Sequence, residues 1–149
     1  AAEAFEVSAF YYLLKPVDMK KLKQVLEKAV LKTERRTQEF ILISRERQNR
    51  KVFLDDIRYF EMRGRMVEVH GTEGIFTWYR QIGELENRLR DRGFFRCHKS
   101  FLINLKYVDG YNRQEAVLEN GERVMIAKRR YEEFCQEILT FMKQHGGLV

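Results

Sequence analysis

Apolar and polar positions alternate most sharply between residues 94 and 105, and the rest of the chain is arranged around that stretch. Phe101, Ile103 and Leu105 share one side of a two-residue period, and Asn104 takes the other, which predicts a strand. Phe94 and Phe95 open a second apolar arm. Between the arms lie Arg96, Cys97, His98, Lys99 and Ser100. The arms can anchor the segment in a β core while its centre faces outward. Two cations, an imidazole and a hydroxyl make a group of hydrogen-bond donors suited to an anion, phosphate above all. A solvated β-turn is the ordinary alternative for such a composition.

From residue 40 onward the pattern is one of short strands. Apolar runs at 40–44 and 51–54 are separated by the polar stretch 45–50. Runs at 57–62 and 66–70 flank Arg63-Gly64-Arg65. Glycine there allows the positive φ of a tight hairpin and leaves two arginines at its tip. Residues 71–74 form the next turn and 75–78 the next strand. Residues 80–92 predict a helix, with Ile82, Leu85 and Leu89 as its buried stripe and Gly93 as its stop. Strands follow at 108–111, 116–119 and 123–127, with a turn at 112–114. Asn120-Gly121 predicts a type I′ hairpin. The last helix is expected from about Lys128 to His145, with Tyr131, Phe134, Cys135, Ile138, Leu139 and Met142 on one face. Its first residues, Lys128-Arg129-Arg130, put three cations at the partly positive end of a helix, which makes sense where an anion docks.

Residues 1–36 have another character. An aromatic, strand-like run at 10–14 stops at Lys15-Pro16, because proline has no N–H for the ladder. Asp18 can cap a helix running to about residue 36, with Leu22, Val25, Leu26 and Ala29 on one face and lysines on the other. The expected division is therefore 1–36, a strand and linker helix, and 37–149, a mainly β domain.

Composition adds a class of partner and removes several chemistries. The 149 residues carry a net charge of +6 and a pI near 9.4, which favours polyanions, nucleic acid first and an anionic membrane surface second. Two distant cysteines make no disulfide framework and fit a reducing cytosol. Three scattered histidines and two cysteines predict no zinc site, and no cofactor is expected. Cys97 and His98, as strand neighbours, point to opposite faces and make a poor metal or thiol–imidazole pair. There is no glycine loop for phosphate and no nucleophile elbow, so an enzyme is not expected. No apolar run reaches the length of a membrane span, no signal peptide is recognisable, and a cytoplasmic location is expected. The start at Ala1-Ala2-Glu3, without methionine, suggests a trimmed chain.

The central stretch resembles the signature of the LytTR family of bacterial DNA-binding domains. The match lies in Phe95, Arg96, His98, Lys99, Ser100, Asn104 and Leu105, with Asp56-Ile57-Arg58-Tyr59-Phe60-Glu61 upstream and Asn120-Gly121 downstream. It extends over about residues 40–130. A family arginine or asparagine often stands where this chain has Lys99. Residues 10–16 resemble the end of a response-regulator receiver domain, where an aromatic, here Tyr12, precedes Lys15-Pro16 and a last amphipathic helix follows. The phosphorylatable aspartate of a receiver would lie upstream of Ala1.

The resemblance implies a mainly β fold, an elongated LytTR-type β sandwich with a short helix and a C-terminal helix, preceded by a strand–helix remnant of an α/β receiver. It also implies a sequence-specific transcription regulator of a two-component system. Its loops, rather than a recognition helix, would enter the grooves of double-stranded DNA at paired promoter repeats. On that reading Arg63 or Arg65 enters one major groove and Arg129 the next, since arginine can pair bidentately with guanine. Lys99 is counted with these base-contacting residues. Tyr79, Gln81, His98, Ser100, Lys128 and Arg130 contact the backbone and fix register. Residues 5–30, with an apolar strand edge and helix stripe, are expected to join two copies as a homodimer. An RNA-binding or protein-interaction β module is the alternative, with Trp78 and Tyr79 as its stacking aromatics.

Overall fold

The computed structural model describes residues 22–26 and 38–149. The chain divides into two units, Ala1–Gln38 and Glu39–Val149. In the first, residues 22–26 are helical, with Val25 and Leu26 exposed. The strand expected at 10–14 and the remainder of the expected helix lie outside the described residues.

The second unit is built of antiparallel strands in three sheets. Strands β1 (Phe40–Arg45) and β2 (Gln48–Phe53) form a hairpin. Strands β3 (Ile57–Arg63), β4 (Met66–Gly71), β5 (Gly74–Trp78), β6 (Phe94–His98) and β7 (Phe101–Asn104) form a sheet of order β5-β4-β3-β7-β6. Strands β8 (Val108–Tyr111), β9 (Glu115–Leu118) and β10 (Arg123–Met125) form the third. Helix α1 (Ile82–Leu89) lies between β5 and β6 in sequence, and α2 (Tyr131–Gln144) ends the fold.

The five-stranded sheet is a shared layer between two cores. Neighbours on a strand face opposite ways, so the apolar pairs Tyr59-Phe60, Leu102-Ile103 and Phe94-Phe95 can serve both sides. Phe60, Leu102 and Phe94 join Val67 and Val69 in the first core, closed by Ile82, Leu85 and Leu89 of α1 and by Ile43 and Val52 of the first hairpin. Tyr59, Ile103, Phe95 and Cys97 enter the second core, closed by Ala116, Leu118 and Val124 of the three-stranded sheet and by Phe134 and Ile138 of α2. The β3–β4 register shifts between Ile57 and Tyr59. This bulge puts Ile57 with Phe60 in the first core while Tyr59 enters the second. Truncating a fully buried aromatic such as Phe60 or Phe134 to alanine costs about 3–5 kcal/mol by cavity formation.

Several boundaries differ from those the pattern predicts. Helix α1 is shorter than 80–92. Gln81 is still extended (φ −92°, ψ 132°), and beyond Leu89 the chain turns, with Arg92 N–H donating to Leu89 O at 3.0 Å. Lys128–Arg130 is a 3-10 turn, and α2 starts only at Tyr131. Leu139 is 38% exposed, while Phe141 packs against the second core. The stripe thus follows Phe134, Ile138 and Phe141, the i, i+4, i+7 line of a helix. Asn120-Gly121 is not a type I′ turn, because Gly121 has φ +88° but Asn120 has no positive φ. Gly121 N–H donates to Leu118 O at 2.9 Å, so the glycine follows an ordinary turn instead of forming half of a mirror-image one. Strand β10 ends at Met125, as Ala127 N–H donates across to Cys97 O at 2.8 Å. The first hairpin zips further than its apolar runs, to Arg45 opposite Gln48, around Glu46 and Arg47 at φ 49° and 65°. No helix among the described residues is long and apolar enough to cross a membrane.

Candidate nucleic-acid interface

Strand register places four loops at one end of the five-stranded sheet. Arg63 pairs with Met66 across the β3–β4 turn, where Gly64 has φ +62°. Met62 N–H donates to Ser100 O at 2.8 Å, so the β6–β7 turn lies against the end of β3. Trp78 pairs with Val67 beside the same turn, and residues 79–81 leave from there. The Ala127–Cys97 hydrogen bond brings the 128–130 turn next to β6. The predicted contact residues fall on these loops: Arg63 and Arg65, then Tyr79 and Gln81, then His98, Lys99 and Ser100, then Lys128, Arg129 and Arg130.

An open groove of about 530 Å³ runs between the last two loops, lined by Glu86, Arg96, His98, Lys99, Arg129 and Arg130. Four cations there face one carboxylate, a balance that favours an anion. Glu86, on α1, lies 3.6 Å from Arg96 Nη1 and 3.7 Å from Arg130 Nη2. Arg96 Nη2 donates to Lys99 O at 2.7 Å and so closes the β6–β7 turn. Arg130 Nε donates to Arg96 O at 2.9 Å, its Nη1 pairs with Glu133 at 3.0 Å, and its guanidinium stands 4.9 Å from the Phe95 ring. Arg130 is thereby a strut between loops. Arg65, Lys99, Lys128 and Arg129 differ: they are exposed, and their side chains make no ion pair or hydrogen bond with the described residues.

The remaining predicted residues are placed as follows. Arg63 Nε lies 3.3 Å from Glu61 and 2.9 Å from Glu68, so its charge is balanced where it stands. Tyr79 is 71% exposed, and Gln81 is exposed. Ser100 N–H donates to His98 Nδ1 at 3.1 Å, which leaves Nε2 to carry the proton of the neutral ring and act as a donor. Trp78 is only 6% exposed, with Arg80 stacked 4.9 Å from its ring, so it cannot offer a face to a base. The alternative module therefore keeps one of its two aromatics. Cys97 is sealed in the second core, where burial pushes its thiol up to about 12, and Sγ donates to Met125 O at 3.4 Å. Half-buried His98 instead packs its ring at 5.6 Å from Phe101.

Sequence reasoning missed Glu86, which lies four residues after Ile82 beside the buried stripe and is partly buried, with nothing in the sequence to signal its two arginine partners. Arg96 is expected only as one of the anion donors, whereas it braces the β6–β7 turn, and the motif's Asn104 has no expected role. Asn104 is buried and donates to Ile57 O at 2.9 Å and Leu54 O at 3.4 Å, while its oxygen accepts from Lys106 N–H at 3.2 Å. It fixes the end of β7 against the start of β3.

A β scaffold that presents cations and donors on loops at one end of a sheet is a loop-reading, anion-binding domain. Residues 47–139 match the LytTr DNA-binding domain, and the chain belongs to that family. The transcriptional regulatory protein BtsR of Salmonella typhi is 30% identical over 158 residues, covering 93% of this chain and 63% of BtsR. The sensory transduction protein LytT of Enterococcus faecalis is 24% identical, again over 93% of this chain and 63% of the relative. This chain thus spans less than two thirds of the length of either. Among solved structures, a LytTr DNA-binding domain from Bacillus cereus superimposes with a TM-score of 0.59 at 21% identity, over 68% of this chain and 97% of that one. That likeness is one of fold.

Proposed function

We propose that this chain is the DNA-binding end of a response regulator, a sequence-specific transcription regulator of a two-component system that reads paired promoter repeats in double-stranded DNA. The observation that carries this reading is the set of exposed, unpaired cations Arg65, Lys99, Lys128 and Arg129 on loops at one end of the sheet, two of which, Lys99 and Arg129, line the open groove. Family membership and the regulatory names of BtsR and LytT support it. Arg129 and Arg65 read bases in successive major grooves, with Lys99 between them. Arg63 contributes only by leaving Glu61 and Glu68. Tyr79, Gln81, His98, Ser100 and Lys128 hold phosphates and set register. Arg130, with Arg96 and Glu86, acts on DNA by positioning the turns that carry the others. Two free thiols, Cys97 and Cys135, suit action in the cytoplasm.

Selection of a preferred duplex followed by anisotropy titrations tests the assignments. Arg129→Ala and Arg65→Ala should each cost about 1–3 kcal/mol of specific binding and relax preference at one base position. Lys128→Ala should weaken specific and random duplexes alike and reduce the salt slope by about one. If Arg129→Ala weakens both duplexes equally, it does not read a base.

We further infer a symmetric homodimer formed through residues 5–30. Val25 and Leu26 are 55% and 50% exposed on the helical segment, an apolar face that a second copy can cover. Sedimentation of the full chain should show a dimer, and Val25→Glu with Leu26→Glu a monomer. An unmodified chain that stays monomeric well above micromolar concentration rules the dimer out.

A further inference from the structure

The β3–β4 hairpin sets two carboxylates face to face. Glu61 is the direct cross-strand partner of Glu68, and like charges so placed repel. Two pairs along, on the same face, Tyr59 is opposite His70, and the two rings stack at 4.1 Å. The stack aims His70 at the carboxylates: Nε2 lies 3.5 Å from Glu61 Oε2 and 3.3 Å from Glu68 Oε2. His70 is only 8% exposed, and its Nε2 has no hydrogen-bond partner. A buried ring nitrogen held without a hydrogen bond beside two opposed carboxylates requires a reason.

We propose that Glu61, Glu68 and His70 form a binding site for a divalent first-row transition-metal ion of the zinc class. One imidazole and two carboxylates are a donor set that such ions take. The spacing fits as well. Bonds of about 2.1 Å in a tetrahedron separate neighbouring ligand atoms by about 3.4 Å, and the two nitrogen–oxygen distances are 3.5 and 3.3 Å. All three ligand atoms fall within 4.8 Å of one another. The imidazole disfavours magnesium and calcium, which prefer all-oxygen sites. A search for histidine and cysteine along the sequence passes over this site, because two of its ligands are glutamates and only the strand register brings the three together.

The rival for these carboxylates is Arg63, whose guanidinium approaches both from a side chain that is 64% exposed. An incoming metal ion displaces it, so arginine and metal compete. Removing the arginine therefore strengthens metal binding, a change of sign that a damaged fold cannot mimic.

Calorimetric titration of Zn²⁺ into the chelator-treated full chain decides the matter. One ion per chain is expected, with Mg²⁺ unable to compete. His70→Gln and Glu68→Gln should each weaken binding by at least the roughly tenfold typical of lost metal-site partners, and Arg63→Ala should tighten it several-fold. Cobalt substituted for zinc should show no thiolate charge-transfer band. Failure of the chain to take up Zn²⁺, or equal affinity in Glu68→Gln and unchanged affinity in Arg63→Ala, overturns the site and assigns any bound ion to surface groups such as His98, His145 or Cys135.

Discussion

Asn104 satisfies two carbonyls and one amide from a position that is 4% exposed. Alanine there removes the side-chain partner of Ile57 O and of Lys106 N–H, while Leu54 O keeps the bond from Ile57 N–H. The cost is that of stranding buried polar groups, about 1–3 kcal/mol. Urea unfolding of Asn104→Ala should therefore show a lower midpoint with an unchanged slope. An unmoved midpoint would mean that water replaces the amide. The sequence makes Asn104 visible as a polar residue out of phase with its apolar neighbours. It cannot reveal the partners, since Leu54 and Ile57 lie far away along the chain. Arg130 presents the opposite problem. It reads as one more cation in Lys128-Arg129-Arg130, and only its bonds to Arg96 O and Glu133 separate the strut from the exposed pair beside it.

Helix α1 is the element whose placement does most for the interface, through Glu86. Simple electrostatics says that deleting a carboxylate from a cationic groove should strengthen DNA binding. The geometry says otherwise, because Glu86 draws Arg96 and Arg130 together across the groove. Glu86→Gln should lower affinity for the preferred duplex while changing thermal stability little, as both ion pairs are partly solvated. A gain in affinity would show that Glu86 is merely an opposing charge. At this scale much was legible. The runs at 57–62 and 66–70 match β3 and β4 closely, and Ile82, Leu85 and Leu89 form the buried stripe as expected. Ends and turns were less legible, because their hydrogen bonds come from other segments. Ala127 bonding to Cys97 shortens β10, and Glu46 and Arg47 adopt a turn conformation that propensity assigns to glycine or asparagine.

At the scale of the whole domain, the apolar residues announce a β core but not two cores. Doubled apolar residues such as Tyr59-Phe60 and Leu102-Ile103 are the trace of a sheet covered on both faces, and they become interpretable only once the covering layers are known. The same holds for the interface, whose loops are read one by one in sequence yet meet only through register. That register has a kinetic consequence. Strands β3, β4 and β5 can zip as neighbours, whereas the β6–β7 hairpin must dock on β3 through β7, pairing Ile103 with Tyr59 across the intervening strands and helix. Closing so long a loop is slow compared with forming local hairpins. The β6–β7 turn can form locally, but it comes to lie beside β3, as the Met62–Ser100 hydrogen bond requires, only after that docking. In refolding from urea, the fluorescence of Trp78, which reports on β5, should recover first, and the ability to bind the preferred duplex should return in a later, slower phase. Simultaneous recovery would mean that meander and docked hairpin form in one step, and the reading surface would then be as early as any part of the molecule to form.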